Sequence, residues 1–342
     1  KPIVPKSQPK IKIPEKVEQI PPEKADKIRF NLVGITLQGN TVYEDLKLFP
    51  LWEKLLGTEV SLTQIYKVAD TITAYYRNAG YILTQAIVPP QKITSGMVYI
   101  KVIEGYANEV FIEGDVQWRN DLFNDWVKKI KASKPLNNAV LERYTLLGSD
   151  LPGTTVKSRI RPSKTVSGAS DVVLMIERQF VDASVTYDNL GTRTIGTDQL
   201  NVNIGLNSLL NLFERTNLTY LTSGDAEELK YFGFQHDHTL TAEGLNFSFN
   251  GNISYSKPGE SLKQLEIESE NMTLNFLFSY PLIRSRNENL SLQTGLTARD
   301  SKTDILGQLS SEDRLRVLKI GVNYDYSDTW QGVNLINFML YQ

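Results

Sequence analysis

Two rhythms of apolar and polar residues divide the chain. Beyond about residue 180, apolar side chains return at every second position. Leu245, Phe247, Phe249, Ile253 and Tyr255 interleave with Asn246, Ser248, Asn250, Asn252, Ser254 and Ser256. Met272, Leu274, Phe276, Phe278 and Tyr280 alternate with Asn271, Thr273, Asn275 and Ser279, and the same holds around Leu200–Asn207 and Leu318–Ser327. A period of two puts successive side chains on opposite faces of an extended strand. About nine such strands are predicted, centred near residues 184, 203, 218, 234, 250, 275, 294, 320 and 337.

Before residue 180 the period is helical. Ser61 and Gln64 form a capping box, and Ile65, Val68, Ala69, Ile72, Tyr76 and Ala79 then share one face up to a stop at Gly80. Leu122, Phe123, Trp126, Val127 and Ile130 make a second stripe. Val140, Leu141, Tyr144 and Leu147 make a third, ending near Gly148. An earlier helix runs from Tyr43 to Leu56, broken near Pro50. All four stripes read as core.

Around these helices the strand ends repeat. Ile35–Asn40 matches Val110–Asp115, Ile87-Val88-Pro89 matches Ile160-Arg161-Pro162, and Val102-Ile103-Glu104 matches Met175-Ile176-Glu177, at offsets of 75, 73 and 73 residues. A steady offset at three places implies a duplicated β-α-α-β-β unit. The units are placed at 28–105 and 106–178. Ahead of them, residues 1–27 carry six prolines among Lys, Glu and Gln, which predicts an extended linker.

Alternation alone fits a soluble sandwich as well as a membrane barrel. Three details favour the barrel. The strands run to ten or more residues, against about five or six in ordinary globular sheets. Their polar face carries Asn, Ser, Thr and Gly in place of Lys and Glu, as a water-filled lumen does. The connections also alternate: 188–197, 222–228, 257–268 and 300–313 read as polar and mostly long, whereas 207–213, 241–244, 281–289 and 328–332 read as short. Tyr187, Tyr255, Tyr280, Tyr326 and Trp330 stand at strand ends, where interfacial girdles occur. Nine is an odd number of strands, and the last pattern, Val333–Gln342, stops in mid-strand. An incomplete barrel is therefore expected over 179–342.

Composition narrows the function. Of 342 residues, 37 are Lys or Arg and 39 are Asp or Glu, a formal charge of -2 that gives no support to a nucleic-acid partner. There is no cysteine, hence no disulfide, thiolate metal site or cysteine nucleophile. No apolar run reaches the ~18–20 residues of a membrane helix, which is silent about strands. The two histidines, His236 and His238, share a strand face but have no third ligand in the pattern, so interfacial packing is expected and no metal. No phosphate loop, cofactor fingerprint or Gly-x-Ser-x-Gly occurs. Glu227/Glu228 reads as a solvated turn. The sequence thus predicts no catalytic residue, no cofactor and no enzyme activity.

As an ordered series, these features resemble the Omp85 superfamily, and within it the outer-membrane transporters of two-partner secretion (TpsB), of the haemolysin-activator and filamentous-haemagglutinin-exporter type. The residues that carry the likeness are Ile35–Asn40, Ser61–Gly80 with Tyr81-Ile82, Val102-Ile103-Glu104-Gly105, Asp188–Arg193, Asp313–Val317, Gly321–Asp325 and Gly332–Leu335. The resemblance implies two periplasmic POTRA domains, a sixteen-stranded barrel in the outer membrane of a Gram-negative cell, and a plug helix preceding Lys1. It also implies an arginine-glycine-tyrosine loop, a triplet this chain does not contain. An unfolded secreted exoprotein would be the client, the barrel would sit in outer-membrane lipid, and the protein would work as a monomer.

By the same resemblance the middle strand of each unit is the edge that would pair with the client. That assigns Ile82, Thr84, Ala86 and Val88 in the first unit, and Val156, Ser158 and Ile160 in the second. Within the barrel Asn201, Asn203, Asn246, Asn250, Asn252, Asn275, Asn323 and Asp325 would line the path. The alternative functions are an Omp85-type assembly factor for outer-membrane proteins and a soluble or surface adhesin or scaffold.

Overall fold

The computed structural model describes residues 20–114, 116, 120–166, 169–330 and 332–342. Most of the proline-rich stretch, residues 1–19, lies outside them. The described residues within 20–114, 124–145 and 157–175 form one compact unit, and those within 115–123, 146–156 and 176–342 form a second.

The chain enters the first repeat earlier than its prolines suggest. Pro22 opens a helical turn, α1 (Pro22–Ala25), with Ala25 fully buried. Proline suits the first turn because its missing N–H has no helical partner there. The remaining elements of this repeat are β1 (Arg29–Asn31), β2 (Gly34–Gln38), α2 (Asp45–Leu48), β3 (Glu59–Ser61), α3 (Leu62–Asn78), β4 (Gln85–Ile87) and β5 (Met97–Ile103). The helix expected over 43–56 is only one α-turn followed by two 3-10 turns, Phe49–Leu51 and Glu53–Leu55. Pro50 cannot donate the next helical bond, and the segment instead buries Leu48 and Trp52. A small antiparallel pair, β1 with β3, was not anticipated. The main sheet has the order β2-β5-β4, with β2 parallel and β4 antiparallel to β5. Val98, Ile100 and Val102 of β5 are buried, as are Ile65, Ile72 and Tyr76 of α3, in one core.

The second repeat is β6 (Ala107–Gly114), α4 (Asn120–Ala132), α5 (Asn138–Asp150), β7 (Thr154–Pro162) and β8 (Ser170–Arg178), with sheet order β6-β8-β7. This is the β-α-α-β-β order read from the duplication, and β7, like β4, stands at an edge.

Nine antiparallel strands follow: β9 (Val181–Asp188), β10 (Gln199–Asn207), β11 (Glu214–Ser223), β12 (Leu229–Thr239), β13 (Asn246–Ser256), β14 (Glu268–Arg284), β15 (Glu288–Ile305), β16 (Gln308–Ser327) and β17 (Val333–Tyr341). Each pairs with its neighbour in sequence, in one meander. The loop expected at 300–313 is instead strand. β15 and β16 continue through it to a two-residue turn at Leu306–Gly307, both at positive φ (50° and 71°). Paired positive φ is the hairpin geometry that matches strand twist. The polar residues mistaken for loop pair across the hairpin, Lys302 with Glu312 and Asp300 with Arg314. Likewise the turn expected at 281–289 shrinks to 285–287, because β14 passes Pro281 on an irregular register.

Candidate functional site

Register decides what each face of the nine-stranded sheet carries. One cross-strand row reads Ile204, Leu218, Phe234, Gly251, Leu274 and Ala298, and another reads Phe249, Phe276, Leu296 and Leu318. Rings meet along these rows, Phe249 with Phe276 at 4.8 Å and Phe247 with Phe278 at 5.1 Å between centroids. The face is left open by the protein: Leu296 is 57% exposed, Ile320 54% and Phe338 57%. A contiguous apolar surface of this size needs a partner or a membrane. From Met272 to Leu282 on β14 the face extends ten residues, about 33 Å along a strand, or about 25 Å high at the usual barrel tilt. That height matches a lipid-facing band. Tyr187 and Tyr255 close it at one end, and Tyr280 and Tyr326 stand near the other. Above Tyr255 the strands of the long hairpin become charged, with Arg316 on Asp300 at 2.6 Å and Arg314 on Glu312 at 2.6 Å.

The opposite face is polar. All eight lining positions named from the sequence fall on it by register: Asn201, Asn203, Asn246, Asn250, Asn252, Asn275, Asn323 and Asp325. Several are not free. The Thr219 hydroxyl donates to Asn203 Oδ1 at 2.7 Å, and Asn203 Nδ2 to Asn201 Oδ1 at 3.0 Å. Asn275 donates through Nδ2 to Asn250 Oδ1 at 2.9 Å, and its Oδ1 accepts the Thr297 hydroxyl at 2.5 Å. Asn289 Nδ2 reaches Asp325 at 2.8 Å, and Asn337 reaches Asn323. Cross-strand ladders of this kind satisfy the amides and brace the wall. Thr219, Thr297 and Asn289 belong to the ladders but were missed. The same period of two would have found the two threonines had threonine been counted beside asparagine, whereas Asn289 fell in the segment 281–289 read as a connection.

The edge strands differ from expectation. In the first repeat the predicted edge over 82–88 is strand only at Gln85–Ile87. Ile82 lies in a turn and Val88 beyond the strand, while Thr84 is fully buried, its N–H bonded to Tyr81 O and its carbonyl to Arg77. The Ala86 N–H is taken by the Thr73 hydroxyl of α3 at 2.9 Å. In the second repeat Ser149 of α5 both donates to Val156 O (3.1 Å) and accepts from Val156 N–H (3.0 Å). Ser158 and Ile160 lie further along β7, with the Ile160 side chain buried.

Glu104, part of the recognised Val-Ile-Glu-Gly motif, is structural. Its carboxylate accepts the Thr41 and Val42 N–H groups at 2.8 and 3.0 Å and the Tyr76 hydroxyl at 2.9 Å. Burial first, and this carboxylate second, push the Tyr76 hydroxyl well above the ordinary tyrosine range. His236 and His238 sit on the apolar face near the C-terminal end of β12, ring centroids 6.4 Å apart, with Thr216 Oγ1 3.0 Å from His236 Nδ1. This is the packing position expected for them.

A two-faced antiparallel wall preceded by POTRA-like repeats defines an Omp85-type membrane barrel protein. Residues 30–105 match the ShlB-type POTRA domain, and residues 168–338 match the haemolysin secretion/activation protein family ShlB/FhaC/HecB. The chain belongs to that family. The heme/hemopexin transporter protein HuxB of Haemophilus influenzae (strain 86-028NP) is 24% identical over 277 residues, covering 80% of this chain and 48% of HuxB. The outer membrane transporter CdiB-2 of Burkholderia pseudomallei (strain 1026b) is 30% identical over 260 residues, covering 71% of this chain and 42% of CdiB-2. The chain spans about half the length of the curated relatives it matches. In fold it is similar to CdiB from Escherichia coli (TM-score 0.71, 20% identity, 95% of this chain and 62% of that one). It is also similar to CdiB from Acinetobacter baumannii (TM-score 0.59, 16% identity, 95% and 63%).

Proposed function

We propose that the chain is part of an outer-membrane translocation channel that takes an unfolded, secreted exoprotein from the periplasm and passes it outward through the barrel. The observation that carries this reading is the division of one wall into a lipid-facing apolar face and a polar face braced by cross-strand amide ladders. A chain in transit meets a wetted surface many of whose amides are already paired, so it is guided without being gripped. The work is binding and passage, with no bond made or broken. The repeats lie in the periplasm, at residues 28–105 and 106–178, after a linker, and the barrel works as a monomer in lipid. The transporter names of HuxB and CdiB support the same class.

Client capture by edge pairing uses main-chain hydrogen bonds, which tolerate any client sequence. The first edge has little to offer, since Thr84 spends both backbone groups and Ala86 its N–H inside the module. The reading therefore moves to β7, at Ser158 and Ile160, beyond the sealed Val156. Replacing Ser158 with proline in the full-length protein should abolish secretion of its exoprotein while leaving the heat-resistant barrel band on gels unchanged. Normal secretion by that variant would refute edge capture at β7. A full-length protein that neither conducts in planar bilayers nor secretes would refute the channel.

A further inference from the structure

A polar cavity of about 700 Å³ opens where the polar face ends near the β12–β13 turn. Its wall is the segment 149–155, residues 177–179, and the inward side chains Arg215, Asp237 and Asn246. Ligand sites commonly span about 300–1,000 Å³, so this volume accommodates a short extended peptide. We propose that this cavity is the portal through which an extended polypeptide main chain reaches the polar face, and that Asp150 and Arg284 are positioning residues that hold its wall.

Three features carry the proposal, all within the second compact unit. First, the cavity joins the polar stripe: Arg215 and Asp237 are register partners on the face that bears the asparagine ladders. Second, its charges are engaged. Arg215 makes a two-pronged pair with Asp182 (2.7 and 2.8 Å) and a bond to Asn207 (2.9 Å). The Asp237 carboxylate accepts from Gln235 at 2.8 Å and from Ser248. A wall whose ions are already paired offers weak, sequence-tolerant contacts, as passage requires.

Third, the wall segment is pinned at both ends. Arg284 grips Asp150 through Nε and Nη2, each at 2.7 Å, and is itself held by Asn289 at 2.9 Å. Gly153 O accepts the Gln179 N–H at 2.7 Å, and Gly153 lies so close that a Cβ there would stand 2.3 Å from Gln179 O. Around the pins, the buried Phe213 of the turn before β11 packs on Phe123 at 5.4 Å and under the Arg178 guanidinium at 4.9 Å. Arginine's planar fork makes such a carboxylate clasp directional.

The proposal rests on the channel reading, and its test separates the two. Residues 1–342 hold no cysteine, so Thr155→Cys and Asn246→Cys, placed in the full-length protein with any cysteine outside this stretch changed to serine, give unique thiols in planar bilayers. A cationic and an anionic methanethiosulfonate reagent should shift the reversal potential in opposite directions at both sites. A conducting channel indifferent to both reagents overturns the portal and leaves the channel standing. Absence of conduction overturns both. For the clasp, hydrogen exchange over 146–156 should quicken about three- to tenfold in Asp150→Arg or Arg284→Asp, the range between an exposed ion pair and a charge-assisted hydrogen bond. The double exchange should restore protection. Unchanged exchange in the single variants, or no recovery in the double, overturns the positioning role.

Discussion

Leu296 and Thr297 are adjacent on β15 yet sit in opposite solvents, and replacing each with arginine measures that difference. Leu296 pairs with Phe276 on one side and Leu318 on the other, four residues below the charged rim at Asp300. It is thus well inside the apolar band. An arginine on the lipid face of a barrel costs ~2–4 kcal/mol near the midplane and falls toward zero at the interfaces. Leu296→Arg should therefore lose about 2–3 kcal/mol. Thr297 faces the polar side, where its hydroxyl donates to Asn275 at 2.5 Å. Thr297→Arg loses that bond, about 1 kcal/mol, and places its charge in water. The assay is urea unfolding of the protein folded into lipid vesicles, followed by tryptophan emission and by loss of gel heat-modifiability. A stability gap of at least 1 kcal/mol between the variants is expected. Equal losses, or a larger loss for Thr297→Arg, would refute the assignment of faces on which both the channel and its portal depend.

Two further predictions concern the first repeat. Tyr76 keeps its proton in the fold above its ordinary value of 10.0, because of burial and the Glu104 carboxylate. Its stabilisation is complete below about pH 10 and declines as the unfolded chain ionises first; denaturant midpoints measured from pH 8 to 11 should fall in the wild type and fall less in Tyr76→Phe. Gly39 has φ +89°, and a Cβ there would stand 2.4 Å from Val102 O, so Gly39→Ala should cost ~1–3 kcal/mol by thermal unfolding. A neutral result would mean that the strand end relaxes more easily than its packing implies.

Much of this architecture is legible in the chain because the signals are periodic. Ile65, Ile72 and Tyr76 on one helical face, and Leu274, Phe276 and Phe278 on one strand face, need no knowledge of their neighbours. Each face buries or exposes its residues wholesale, and that depends only on spacing. The repeat offset of 73–75 residues placed the second β-α-α-β-β module in the same way. Local signals failed where charge was taken for irregularity. Residues 300–313 carry Lys, Asp and Glu, yet they extend a hairpin in which opposite charges stand in register, Asp300 opposite Arg314 and Lys302 opposite Glu312, while Arg316 reaches across to Asp300 at 2.6 Å. Such pairing is invisible until the register is known.

The sequence alone determined the two faces of the wall and the duplication ahead of it, since these follow from residue type and period. Tertiary structure decided which groups remain available. Thr73 sits thirteen residues from Ala86 and Ser149 seven from Val156, and only folding brings each hydroxyl onto a strand edge that looked open. Arg284 and Asp150 lie 134 residues apart, and their clasp is set by the packing of a helix end against a strand end. Hydrogen bonds and ion pairs act over a few ångströms, so they report contacts between distant segments that spacing along the chain does not encode.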